Sequence, residues 1–253
     1  MAHERQYECS PAKCEPASPS SQDSPSPQKP RRPERERSGS PTASPLYLWV
    51  EFALLFLGLP LVLYTQREAL ESLLMPLLVL LSAGCAFTLW RDGSFERRQL
   101  WNRAAFREHL RRTLRWFVPG ALVVGGAFAL LRPDLLLTFP RFYPEVWLVI
   151  LVTYPLLSVY PQEVIFRAFL FHRYDALFPS RWGKVTASGL TFGFAHIVFA
   201  NWVAPAMTAI MGIQFALTYA RTESTLQVTL EHGLWGLYAF TVGLGWFVYS
   251  GAI

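Results

Sequence analysis

Glu163 and Arg167 stand four residues apart inside an otherwise apolar stretch, PQEVIFRAFLFHRY at 161–174, with His172 and Arg173 further on. Two later apolar segments each carry one histidine, His196 in TFGFAHIVF and His232 in TLEHGLWG. Ionisable groups at hydrocarbon depth are costly, so they are usually paired, turned to a bundle interior, or functional. A carboxylate in such a setting can take or hold a proton. A histidine can orient water or donate to a developing oxyanion. One carboxylate and two histidines could equally hold a zinc ion with an open fourth position. The H-E-x-x-H helix of ordinary zinc peptidases, the G-x-S-x-G elbow, the P-loop and the dinucleotide fingerprint are all missing.

The elements that must position these groups are membrane spans. The chain has 253 residues, 52% of them apolar. The apolar residues come in about seven blocks of roughly 18 to 25, each long enough to cross a ~30 Å hydrocarbon core as a helix. The formal charge of +5 sits in arginines beside these blocks, which favours topology over nucleic-acid binding. Cys9, Cys14 and Cys85 do not make a disulfide framework. The expectation is an all-α, polytopic helical membrane protein with about seven (six to eight) transmembrane segments.

Residues 1–45 hold nine prolines and nine serines and almost no large aliphatics. They are expected to form a disordered cytoplasmic tail, followed by a transmembrane domain over 46–253. Spans are predicted near 46–65, 70–90, 114–131, 145–178, 183–200, 203–220 and 226–249. Glu51 in the first is taken as a boundary residue, and His172 and Arg173 as interfacial side chains. The segment 91–115 carries eight arginines against three acids. That excess places it in the cytoplasm together with the N-terminus, and 132–144 opposite. Its alternation of Arg with Leu, Trp and Phe over 95–116 suits a helix lying on the membrane surface. No cleavable leader is expected, since the first apolar block follows a long polar stretch.

Counting from the turn near 179–182, Glu163 and His196 come to a similar depth on neighbouring antiparallel helices, ~20–24 Å along each. His232, about six residues into the last span, would be shallower unless that helix tilts. Arg167 can pair with Glu163 one turn away. Residue types alone leave three classes open: an intramembrane enzyme, a transporter or channel, and a structural or assembly protein.

The stretch 147–240 resembles the CPBP family of intramembrane proteases, which includes CAAX prenyl endopeptidases of the Rce1/Abi type. The family motifs E-E-x-x-x-R, F-x-x-x-H and H-x-x-x-N/D are matched by Gln162-Glu163…Arg167, Phe192…His196 and His232…Gly236. The first family glutamate, the expected general base, is Gln162 here, and the closing Asn or Asp is Gly236. The resemblance implies an intramembrane endopeptidase acting on a membrane-embedded or lipid-modified protein within the bilayer, expected in a bacterial cytoplasmic (inner) membrane. Its site residues would be Glu163, His196, His232, Arg167 and Gln162. On this view Glu163 takes a proton from water held with His196, and His232, helped by Gln162, meets the developing charge. No resident cofactor is expected, with zinc not excluded. Glu231, beside His232, should face a different neighbour. The alternative is an inactive protease fold that binds or regulates a partner helix.

Overall fold

The computed structural model describes residues 44–248, with backbone only at 104–107. The tail reading for 1–45 therefore falls almost entirely outside the described residues. Regular structure among them is helical throughout, in seven long helices. These are α1 (Pro45–Thr65) and α2 (Arg67–Arg91), α3 (Arg103–Leu131), α4 (Pro144–Arg173), α5 (Arg181–Ala195), α6 (Val203–Thr222) and α7 (Thr225–Val242).

Five of them, α1, α2, α4, α6 and the Glu108–Leu131 part of α3, are long and apolar enough to cross a membrane. The chain is thus an integral, polytopic helical membrane protein. The other two predicted spans are helices as well, but α5 has only 15 residues. α7 stops at Gly243, whose φ of 112° ends it before the predicted 249. No separate surface helix forms over 95–116. A short turn at Arg97–Leu100 leads instead into α3, which runs unbroken from Arg103 through Pro119. Good helix formers such as Ala104, Leu110 and Leu114 carry the amphipathic stretch straight into the span.

α4 is the hub. Its span window is 39% buried against 11% for α3, whose Leu122, Val123 and Leu130 point outward as a lipid-facing surface should. α5 and α6 approach most closely. Gly189 and Gly193 form a G-x-x-x-G stripe on α5, and a Cβ at Gly193 would lie 2.9 Å from Ala209 Cα and from Pro205 O. Small residues let membrane helices touch backbone to backbone, and this stripe does so.

Two side chains expected at the interface also tie helices together. Arg173 makes a bidentate pair with Glu51, at 2.9 and 2.8 Å, and the Tyr174 hydroxyl donates to the same carboxylate. His172 lies 2.9 Å from Asp92. Glu51 is therefore the partner that fixes α1 to the end of α4. Sequence separations of 122 and 80 residues hide such pairs from any local pattern.

Candidate active site

α4 supplies Tyr154, Ser158, Gln162, Glu163 and Arg167 from one strained rod. Pro155 and Pro161 lack an N–H and push away the carbonyl one turn back. The helix stays continuous by widening into π-helical stretches at Tyr154–Val159 and Val164–Phe169, on either side of Tyr160–Glu163. Such insertions change which residues share a face and are frequent at functional sites.

Glu163 and Arg167 are fully buried and form an i,i+4 ion pair of 3.1 Å. The guanidinium also donates to Gly212 O at 3.2 Å and lies 4.4 Å above the Phe192 ring. Removing one member of such a pair strands a buried charge, at a cost of about 3–5 kcal/mol. The other Glu163 oxygen accepts from His232 Nδ1 at 2.7 Å. That bond fixes the tautomer, so His232 Nε2 is an acceptor when the ring is neutral. Nε2 lies 3.2 Å from the Tyr154 hydroxyl. Phe215 stacks on the imidazole at 4.7 Å, and Phe192 meets it edge-on. His232 is thus held in a sandwich at the depth of Glu163, because α4 and α7 meet directly there.

His196 begins a tight turn, His196–Phe199, at the end of α5, which Ala200 closes in a left-handed conformation. Its Nδ1 donates to Phe192 O at 2.7 Å, leaving Nε2 as the acceptor. Gln162 donates through Nε2 to Ser158 Oγ at 2.8 Å. Its buried Oε1 has no hydrogen-bond partner among the described residues.

A cavity of about 1310 Å³ opens beside this cluster, and Tyr154, Ser158, Gln162, His196 and His232 stand on its wall. Glu163 and Arg167 do not line it. The structure thus brings together all five site residues named from sequence, in two layers. Gln162, His196 and His232 face the cavity, with Glu163 and Arg167 behind them. His232 occupies the space in front of one Glu163 carboxylate oxygen, between that oxygen and the cavity. Glu231 turns toward α6, accepting from Gln214 at 3.0 Å. Among the described residues, no three His, Cys, Asp or Glu side chains come together in a set that could hold a metal ion.

Sequence reasoning missed Tyr154. Position 236 explains its place, since a Cβ on Gly236 would overlap the Tyr154 ring and hydroxyl. The loss of a side chain at 236 and the presence of this tyrosine are one packing solution. A lone Tyr in an apolar run gives no local signal of it.

With this geometry in hand, residues 141–238 match the family model described as type II CAAX prenyl endopeptidase Rce1-like. Over that stretch the chain is similar to the Rce1-like family. No curated protein and no solved structure matches the chain. The matched stretch is similar to a family of CAAX-type intramembrane proteases and spans α4 through most of α7. Helices α1 to α3 lie outside the match, yet α1 and α2 supply much of the cavity wall, from Leu55 to Leu63 and from Leu74 to Thr88.

Proposed function

We propose that this protein is an intramembrane endopeptidase that hydrolyses a peptide bond of a membrane-embedded or lipid-modified protein. The observation that carries the proposal is the buried relay Glu163–His232–Tyr154, which starts at a carboxylate and ends at a hydroxyl on the cavity wall. A carboxylate behind an imidazole stabilises the imidazolium, which makes the outer nitrogen a competent base.

His232 Nε2 takes a proton from water as the water oxygen bonds to the peptide carbonyl carbon. Protonated Nε2 then hydrogen-bonds to the Tyr154 oxygen while keeping its proton, so that the Tyr154 hydroxyl turns to donate a hydrogen bond to the carbonyl oxygen, now an oxyanion. As the carbon–nitrogen bond breaks, His232 returns the proton to the leaving amine. The acceptors Gln162 Oε1 and His196 Nε2 hold the attacking water by its second hydrogen. Gln162 therefore positions water, although its amide takes no proton. Arg167 neutralises Glu163 and fixes its orientation. The proposed chemistry is metal-free, in keeping with the neutral amide of Gln162, which cannot serve as an anionic ligand.

The test uses membranes from cells that express wild type, Glu163→Gln, His232→Ala or Gln162→Glu at equal abundance. New protein N-termini are read by mass spectrometry. Wild type should release a set of termini that falls ~10²–10⁴-fold in Glu163→Gln and His232→Ala, the range for losing a positioned acid–base group. Unchanged termini in both variants would sink the mechanism. Activity in Gln162→Glu alone would make the native chain a non-catalytic binder built on a protease fold.

A further inference from the structure

One buried carboxylate takes no part in the chemistry above. Glu231 is 6% exposed and stands on α7 one residue before His232. Consecutive helical residues point ~100° apart, so His232 faces the cavity while Glu231 faces the seam between α6 and α7. There its Oε1 accepts from Gln214 Nε2 at 3.0 Å, and the Thr218 hydroxyl approaches the carboxylate from one turn further along α6. Its other oxygen, Oε2, is buried and makes no hydrogen bond among the described residues. A carboxylate inside an apolar bundle is costly unless it is paired, and an amide with a hydroxyl leaves part of its charge unmatched.

Toward α4 stands the matching deficit. Arg167 gives Nε to Glu163 and Nη2 to Gly212 O, whereas its Nη1 is buried and makes no hydrogen bond among the described residues. Glu231 is close enough to attract this guanidinium and to repel the Glu163 carboxylate. The ion pair of Arg167 is nevertheless with Glu163. A buried donor and a buried acceptor that attract each other without touching suit an internal water between them, which satisfies both.

The charges of this rear layer do not cancel. Glu163 and Glu231 face the single guanidinium of Arg167, while Arg221 is exposed further along α6. Arg221 points to the basic end of the bundle, where the arginine-rich segment 91–115 is tied by Gln99 to Tyr219 at 2.9 Å and by Asp92 to His172. Arg167 touches Glu163 and offsets most of its charge. The imidazolium that forms when His232 takes a proton from water therefore draws on the negative charge left over, and Glu231 is its source.

We infer that Glu231 is a positioning residue of the active site. Through a bridging water it shares Arg167 with Glu163, which leaves Glu163 free to favour the His232 imidazolium. Gln214 and Thr218 hold it in that place from α6. The effect on turnover rests on the proteolytic reading above, whereas the link between Glu231 and Arg167 does not.

Two measurements on the full-length chain separate these. The first is the release of new N-termini in membranes that hold each variant at equal abundance. Glu231→Gln keeps the length of the side chain and an oxygen for Gln214 but loses the charge, whereas Glu231→Asp keeps the charge and gives up reach. Release should fall ~10–100-fold in Glu231→Gln, as for a unit charge removed a few Å behind the imidazole at an effective dielectric of ~20. It should fall less in Glu231→Asp. The reverse order, with Glu231→Gln active and Glu231→Asp impaired, would reduce Glu231 to a tie between α6 and α7 and overturn the inference. The second is the unfolding temperature in detergent, in wild type and in a Glu163→Gln/Arg167→Met background, which removes both charges of the buried pair together. With the guanidinium gone Glu231 has no cation beside it, so Glu231→Gln should raise the unfolding temperature in that background and lower it or leave it unchanged in wild type. Equal shifts in the two backgrounds would mean that Glu231 and Arg167 do not interact, and would overturn the inference whatever the enzyme cleaves. Termini indifferent to Glu163→Gln, alongside a shift that changes sign, would overturn the proteolytic reading and leave the link to Arg167 standing.

Discussion

A Cβ at position 236 and the ring of Tyr154 cannot occupy the same space, so these two residues act as a unit. Tyr154→Phe keeps the packing and removes the donor beside His232 Nε2. The expected result is a ~10²–10³-fold fall in turnover at unchanged abundance, the usual loss for one oxyanion donor. Gly236→Ala should fall as well, through displacement of the ring, with ~1–3 kcal/mol of overpacking. The double variant Tyr154→Ala/Gly236→Asn should recover part of the activity lost in Tyr154→Ala, because an amide would then fill the vacated volume. Release of N-termini measures all three, and no recovery in the double variant would mean that position 236 serves packing alone.

Individual helices are shaped by local exceptions to regular structure. α4 carries Gln162 and Glu163 between two π-helical stretches, the first of which contains Pro155. α5 brings Phe192 and His196 to the site because its glycine stripe lets α6 approach at backbone distance. Gly193→Val should therefore lower the unfolding temperature in detergent by the equivalent of ~1–3 kcal/mol and loosen His196. Gly126→Ala on α3, where an added Cβ meets nothing within 4 Å, should be neutral or slightly stabilising. Equal effects from the two would show that the α5–α6 contact is not limiting.

For the molecule as a whole, α1 and α2 extend the Rce1-like stretch by walling its cavity, and they are held to it by polar ties at the basic end. The Glu51–Arg173 pair is bidentate and partly shielded, with side chains 22% and 37% exposed. A tie of this kind contributes about 1–2 kcal/mol. Arg173→Glu should release α1, seen as faster protease cutting near residue 66 in detergent. The exchange Glu51→Arg/Arg173→Glu should restore protection. Protection that is unchanged in the single variant would assign the docking of α1 to the aromatic contacts of Phe52 and Phe56 with Tyr174.

The sequence by itself determined the membrane class, the helices near the predicted spans, and the set Gln162, Glu163, Arg167, His196 and His232. Each follows from a local property: block length, hydropathy, or a costly polar residue in an apolar run. Tertiary structure decided the rest. It placed His232 in front of Glu163, gave Tyr154 the space left open by Gly236, and paired Glu51 with Arg173 as a tie between helices. Those facts depend on contacts between residues 69 to 122 positions apart, and on π-helical turns that shift the face of α4. A period of 3.6 residues read along the chain carries no record of either, because the helical repeat fixes which residues share a helix face and leaves open which helix that face will meet.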